Sequence, residues 1–174
     1  MKLNRYFFPL ITMMLPLLLV VSSAYSEGNK ESNGEDDFHK LGLDLFQQGY
    51  YELIPQGKLE EGMQKLDQAA LAFESAISLN DQRTESHWYL ARIFSIQLKY
   101  EKAEKQYKRL IELEPENLDY YLFLASTYVQ MNRFSEARKA LDYAKTRTED
   151  TQAIEKIDAL VKSIQDQAMN PDMK

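Results

Sequence analysis

The residue types that most often carry catalysis are sparse in this sequence of 174 residues. It has two histidines, His39 and His87, and neither lies in the His-Glu-x-x-His spacing that binds zinc. Glu85, Ser86 and His87 are adjacent, and because neighbouring residues of a helix point in different directions they do not form a catalytic triad. We interpret His87 as a hydrogen-bonded core residue. The absence of cysteine excludes thiolate catalysis, disulfides and cysteine-ligated metals.

Nucleotide-binding and cation-binding patterns are also missing. The six glycines are scattered and form neither GxGxxG nor GxxxxGK[ST]. The run Glu35, Asp36 and Asp37 lacks the alternating acids and the glycine of a calcium loop. Other acids have partners at helical spacing, such as Glu101 and Lys105, and are typical of a solvated helix face. We therefore predict that the protein is not an enzyme and that it has no metal site and no cofactor.

The composition is that of a globular domain with an acidic surface. Hydrophobic residues make up 44% and charged residues 28% of the chain, and the formal net charge is −6. An acidic chain repels the phosphate backbone of nucleic acids, so we expect no nucleic-acid partner.

The N-terminus has the order of a secretory signal peptide, which we place at residues 1–26. Lys2 and Arg5 precede an uncharged, mostly apolar run over residues 7–21, and the small residues Ser22, Ser23 and Ala24 follow. An uncleaved anchor is the alternative, but the run is shorter than the roughly 20 residues of a membrane span. Both interpretations predict an exported chain that is periplasmic or secreted, or anchored to a membrane and facing away from the cytoplasm.

The segment after this signal, residues 27–37, reads EGNKESNGEDD and contains no apolar residue. Such a segment buries too little surface to offset the entropy of ordering it. We predict a disordered acidic tether here.

A 34-residue period organises the remaining chain. Ala69, Ala103 and Ala137 are separated by 34 residues each. The flanking apolar positions keep the same interval and fall on one helix face, which predicts two amphipathic helices in each unit. These positions are Leu66, Tyr100 and Phe134; Phe73, Tyr107 and Leu141; and Ala76, Leu110 and Ala144.

These residues resemble the tetratricopeptide repeat family, whose unit is a 34-residue helix–turn–helix. Residues 84–117 match its pattern with Leu90-Ala91, Phe94, Tyr100, Ala103 and Pro115, and residues 118–151 match nearly as well but have Glu149 where the family has proline. The first unit, about 38–81, has a good second helix. Its first helix, around Leu41-Gly42, is displaced upstream by about fifteen residues, and Pro55-Gln56-Gly57 breaks the connection. We expect an elongated, degenerate repeat there, whose second helix begins near Lys58.

The predicted fold is all-α: a right-handed solenoid of about three helix pairs over residues 38–151, followed by a capping helix. The cap is predicted at residues 152–168, where Ile154, Ile157, Val161 and Ile164 follow one helix face, with Asp150 or Thr151 as its N-cap. Stacked repeats need such a cap because the last unit otherwise exposes an apolar face. Residues 169–174 form a short tail.

The candidate binding site is the helix face next to the core stripe, which the resemblance places on the concave side of the stack. It comprises Glu85, Trp88, Arg92, Ser95, Asp119, Leu122, Ser126 and Val129. Tryptophan and arginine are enriched at binding hot spots, so we expect a groove anchored on Trp88, with Arg92 meeting a carboxylate or a carbonyl. The alternative is that Trp88 packs against the displaced first helix or the tether. A dicarboxylate clamp, known in one subfamily, is not expected because only Arg92 fits its pattern.

The resemblance implies protein binding, and together with the predicted signal peptide it leads us to expect a non-enzymatic adaptor of the cell envelope that binds another protein or a peptide segment. The alternatives are a permanent accessory subunit of a membrane-associated assembly or secretion complex, and a holder chaperone for an exported polypeptide. Contact with a membrane is expected only through an uncleaved N-terminal segment. The sequence leaves the oligomeric state open.

Overall fold

The computed structural model describes residues 34–169, which form seven α-helices and no strand. The helices are α1 (Gly34–Phe46), α2 (Leu59–Leu79), α3 (Thr84–Ile96), α4 (Tyr100–Leu113), α5 (Leu118–Gln130), α6 (Phe134–Lys145) and α7 (Thr151–Met169). A π-helical segment, Gln47–Leu53, and a 3-10 turn, Ile54–Gln56, follow α1 directly. The predicted all-α class is confirmed for this part of the chain. The predicted signal peptide, residues 27–33 of the predicted tether and residues 170–174 lie outside the described residues.

Each helix packs against the helices before and after it, as expected for a solenoid. The core runs between them and uses the residues that carry the 34-residue period. Leu66, Ala69, Phe73, Ala103 and Tyr107 are all buried. Small alanines let the helices approach, and the larger side chains fill the space between the layers.

The turn inside each helix pair has the same backbone conformation in all three pairs. Gly57, Leu98 and Asn132 are left-handed, with φ of 79°, 57° and 58°. Each is followed by a basic residue that caps the second helix of its pair, with ψ of 59° or 60°. These capping residues are Lys58, Lys99 and Arg133. The shared geometry identifies α1–α2 as a pair of the same kind as the two regular ones, and the predicted start of α2 near Lys58 is confirmed.

The first pair is elongated. Helix α2 has 21 residues against 14 in α4, which makes it longer by about 10 Å. On the facing side, α1 and α3 both have 13 residues, but the seven-residue π-helical segment adds to α1. The two helical arms of the first pair, α1 with its π-helical segment and α2, are thus each extended by seven residues. Together these fourteen residues account for nearly all of the displacement of about fifteen residues that the sequence shows for the first helix.

Close helix contact in this first pair depends on glycine. A Cβ atom on Gly42 would lie 2.7 Å from Cε1 of Phe73, which is fully buried. Further along the extension, a Cβ atom on Gly49 would lie 2.7 Å from the carbonyl oxygen of Gly62. Helices α1 and α2 therefore approach more closely than any side chain at these positions would allow.

The predicted tether is wrong for its last four residues, because α1 already begins at Gly34. Glu35 is buried and accepts hydrogen bonds from Arg83 at 2.8 Å and from Asn80 at 3.1 Å. Asp36 accepts from the same Arg83 guanidinium at 2.6 Å. Acids favour the first turn of a helix, and the arginine that compensates their charge lies more than forty residues away. Local composition therefore could not show that these acids are ordered.

Helix α7 packs against α6, in the position predicted for the cap. Asp150 is its N-cap and accepts a hydrogen bond from the amide of Gln152 at 2.9 Å. Ile157 and Ile164 are buried, whereas Leu160 is 44% exposed. The helix extends one residue beyond the predicted 152–168 at each end.

Candidate functional site

A groove of about 400 Å³ lies where α3, α4, α5 and the π-helical segment meet. Its lining is Tyr50, Arg92, Ser95, Ile96, Tyr100, Tyr107, Phe123, Ser126, Thr127 and Gln130. The volume is in the range of pockets that bind ligands or anchor side chains. The lining combines aromatic rings with hydroxyl and amide groups, and Arg92 is its one charged member.

The eight predicted site residues divide into three groups. Arg92, Ser95 and Ser126 line the groove. Trp88, Leu122 and Val129 are half-buried and pack against the core, and Trp88 also borders the groove through its ring contact with Phe123. Glu85 and Asp119 are exposed and lie in the first turns of α3 and α5, outside the lining.

Trp88 packs on α4 and α5. Its ring meets Phe123 edge-on at 4.7 Å between centroids, and lies 6.1 Å from Tyr120 and 6.3 Å from Tyr107. Within residues 34–169 the ring–ring contacts of Trp88 are with α4 and α5, and the alternative packing against the first helix or the tether stays a prediction. It is Arg92, one turn further along α3, that reaches the first helix pair.

The guanidinium of Arg92 lies over three aromatic rings. Its Cζ atom is 5.5 Å from the ring centre of Phe46, 5.7 Å from that of Tyr50 and 5.8 Å from that of Trp88. Each is a cation–π contact. Among the described residues, Arg92 has no carboxylate or carbonyl partner, so its N–H donors remain available to a ligand.

The floor of the groove is the Tyr107 ring, which is buried and stacks on Phe123 at 5.8 Å with only 13° between the planes. Burial raises the pKa of the Tyr107 hydroxyl, and its hydrogen bond with Ser95 and the charge of Arg92 act in the opposite direction. The tyrosine is therefore neutral at physiological pH, and its buried ring supports the partly exposed ring of Phe123.

Several lining residues were not predicted from the sequence. Tyr50 enters the groove from the π-helical segment, a geometry for which the periodic pattern gives no signal. Phe123 is next to the predicted Leu122, and 39% of it remains exposed. The sequence predicts Tyr107 as a core residue, and the structure places it both in the core and against the groove. A phenylalanine that lies one residue from a predicted groove position and outside the periodic core positions is the sequence signal that could have identified Phe123.

The two histidines lie outside the groove lining and are hydrogen-bonded. His87 is buried, with Nδ1 2.7 Å from Gln106 Oε1 and Nε2 3.1 Å from the Asp81 carbonyl oxygen. This confirms its interpretation as a core residue. His39 is buried with Nδ1 2.9 Å from Ser86 Oγ, and burial lowers its pKa. Within residues 34–169, no cluster of three potential metal ligands occurs.

The sequence profile of the tetratricopeptide repeat family matches residues 97–161, which span the second half of one regular pair, the whole of the next and part of α7. The described part of the chain has the helix order and the turns of that repeat. Residues 97–161 thus carry the sequence pattern of the tetratricopeptide repeat, and residues 34–169 have the fold of that repeat. No curated protein matches the sequence.

Solved structures with the same fold are similar to this chain at low sequence identity. The TPR2B domain of yeast Sti1, in complex with pHsp70, is 16% identical, with a TM-score of 0.54 over 74% of this chain and 98% of that one. The Yersinia enterocolitica type III secretion translocator chaperone SycD is 15% identical, with a TM-score of 0.59 over 81% of this chain and 90% of SycD. SycD in complex with a peptide of the translocator YopD is 16% identical, with a TM-score of 0.57 over 81% and 97%. The predicted right-handed repeat solenoid is confirmed.

None of the helices between residues 34 and 169 is both long and apolar enough to cross a membrane.

Proposed function

We propose that this protein is a non-enzymatic adaptor that binds a segment of a partner protein in the groove between α3 and α5. The observation that carries the proposal is the environment of Arg92. A guanidinium held over three rings, without an acceptor among the described residues, is prepared for a ligand that supplies one. The exposed Phe123 and the half-buried Trp88 provide aromatic surface beside it, which is typical of binding hot spots.

Structures with this fold support a peptide ligand. The yeast Sti1 domain is described in complex with pHsp70, and SycD in complex with a peptide of YopD. SycD is called a chaperone, which favours a holder of another polypeptide as the second candidate function. Both candidates place a partner segment in the groove, and they differ in how long the partner stays there.

The test is crosslinking in cells from two matched positions. A photo-crosslinking residue at Ser126 lies in the groove, and the same residue at Leu71 lies on α2 outside the lining. We expect a partner to be captured from Ser126 and not from Leu71. The Trp88→Ala, Arg92→Glu double variant should lose that partner while retaining its helix content by circular dichroism. Capture of the same partner by the double variant would show that the groove is not the binding site.

We further propose that the chain acts in the cell envelope, as a periplasmic or secreted protein exported by residues 1–26. The support is the order of charge, apolar run and small residues in the sequence. Mass spectrometry of the protein purified from the source cells should find a new N-terminus after Ala24 or after Ser26. An intact Met1 in a protein fractionating with the cytoplasm would contradict this proposal.

A further inference from the structure

The charge in the groove comes from a hydrogen-bond donor, whereas the neutral hydroxyl and amide groups of the lining both donate and accept. Arg92 is its one charged lining residue, and a guanidinium donates hydrogen bonds but accepts none. No aspartate or glutamate is among the lining residues. A carbonyl oxygen of a ligand can thus accept a hydrogen bond from a charged group, whereas an amide N–H of a ligand would find only neutral acceptors.

This asymmetry discriminates between the backbone conformations that a ligand could adopt. In a bound helix the carbonyls along the chain are already bonded within the helix, so its backbone would leave Arg92 unsatisfied. An extended segment presents free carbonyls. If it contains proline, it also presents fewer N–H groups that need acceptors.

The walls favour the same kind of ligand. Tyr50, Tyr100 and Phe123 line the groove, and the buried Tyr107 ring stacks on Phe123. The two ring centres are 5.8 Å apart and Tyr107 is buried, so the ring surface of this pair that a ligand can reach belongs to Phe123. Flat aromatic surfaces with hydrogen-bond donors beside them suit the pre-ordered polyproline II conformation, in which prolyl rings pack on aromatic rings and the carbonyls point outward.

We propose that the segment bound in this groove is extended and proline-containing, in the polyproline II conformation, with a backbone carbonyl on Arg92 and a prolyl ring on Phe123. The inference rests on the proposed function and specifies the chemistry of the partner. It distinguishes this groove from a site for an amphipathic helix or for an acidic segment.

The chain contains a built-in probe for the test, because Trp88 is its single tryptophan and borders the groove. The full chain is titrated with an acetylated and amidated decaproline peptide while the emission of Trp88 is recorded. Matched peptides are a glycine-serine decapeptide, an alanine-rich helical peptide and a deca-peptide of alternating glutamate and glycine. We expect saturable binding of decaproline and, for each of the others, binding that is weaker by about tenfold or more.

Protein variants locate the binding. Phe123→Ala and Arg92→Met should each weaken decaproline binding by about tenfold, the effect of losing one hot-spot side chain. Leu71→Ala removes a comparable exposed side chain outside the groove lining and should leave binding unchanged. Since the peptide series needs no substitution in the protein, the inference remains testable even if a variant folds poorly.

Three results would overturn the inference: no saturable binding of decaproline, equal or tighter binding of any matched peptide, or decaproline binding that Phe123→Ala does not change. Tighter binding of the glutamate peptide would assign Arg92 to a carboxylate. If Ser126 captures a partner in cells but decaproline does not bind, only this inference fails. If neither result is positive, the proposed function fails as well.

Discussion

The first helix pair and the two regular pairs bring their helices close together with different residues. In the regular pairs, an alanine such as Ala91 or Ala125 lies at the close approach of two helices, and side chains supply the contacts. In the first pair glycines take this role, and a π-helical segment extends the first arm.

This difference has a consequence for the site. The regular pairs supply Arg92, Phe123 and the floor of the groove, and the irregular pair supplies the rings of Phe46 and Tyr50 that hold Arg92 from the other side. A stack of regular repeats alone would therefore lack these two aromatic contacts. The irregular region completes the site, as π-bulges often do at functional positions.

The largest expected effect comes from removing the ring that joins the first pair to the core. Phe73 is fully buried, contacts the Gly42 position and stacks on Tyr89 at 5.3 Å. Phe73→Ala should lower the free energy of unfolding by about 3–5 kcal/mol. Tyr51→Ala, at a position that is 59% exposed, should change it by less than about 0.5 kcal/mol. Urea unfolding followed by circular dichroism measures both. Similar values for the two variants would mean that the first pair does not share the core.

A smaller effect is expected from adding a methyl group where the extended arms cross. Gly49→Ala places a Cβ against the Gly62 carbonyl, and because the obstacle is backbone it should cost about 1–3 kcal/mol. Gly57→Ala serves as the control, because its Cβ would meet nothing within 4 Å and only the left-handed backbone is penalised, by about 1 kcal/mol. Urea unfolding followed by circular dichroism compares the free energies of unfolding of the two variants. A Gly49→Ala variant as stable as the wild type would show that the arms are further apart than described.

The docking of α1 should depend on pH through His39. Burial lowers the pKa of His39 below its unfolded value near 6.5. The unfolded chain therefore binds this proton first, so the stabilising contribution is fully present above the unfolded pKa and is lost as the pH falls through the folded pKa. We expect the urea midpoint of the wild type to decrease between pH 7.5 and pH 5, and His39→Gln to show a weaker decrease. Parallel pH profiles for the two proteins would contradict this assignment.

The smallest effect sharpens the comparison between the two regular pairs. Leu98 and Asn132 are equivalent, both left-handed, and leucine tolerates that conformation less well than asparagine. Leu98→Asn should stabilise the protein by about 0.5–1 kcal/mol, and Asn132→Leu should destabilise it by a similar amount. For a chain of this size the melting temperature should change by about 2–4 °C per kcal/mol. Shifts of the same sign in both variants would show that side-chain contacts, not the backbone, decide these turns.

The sequence alone determined the repeat architecture, because the 34-residue spacing of Ala69, Ala103 and Ala137 records which residues must meet in the core. Burial of apolar side chains at fixed intervals is a local pattern, and it also located α2 and the cap near Asp150. The same pattern brought Arg92, Ser95 and Ser126 into the candidate site.

Only the tertiary structure decided what surrounds those residues. Tyr50 reaches the groove because of a π-helical turn, and Glu35 is ordered by an arginine 48 residues away. Arg92 lies over rings that the first pair supplies. The periodic signal reports which face of a helix is buried, whereas these contacts join elements far apart in the chain, and their energies depend on distances that no local spacing encodes.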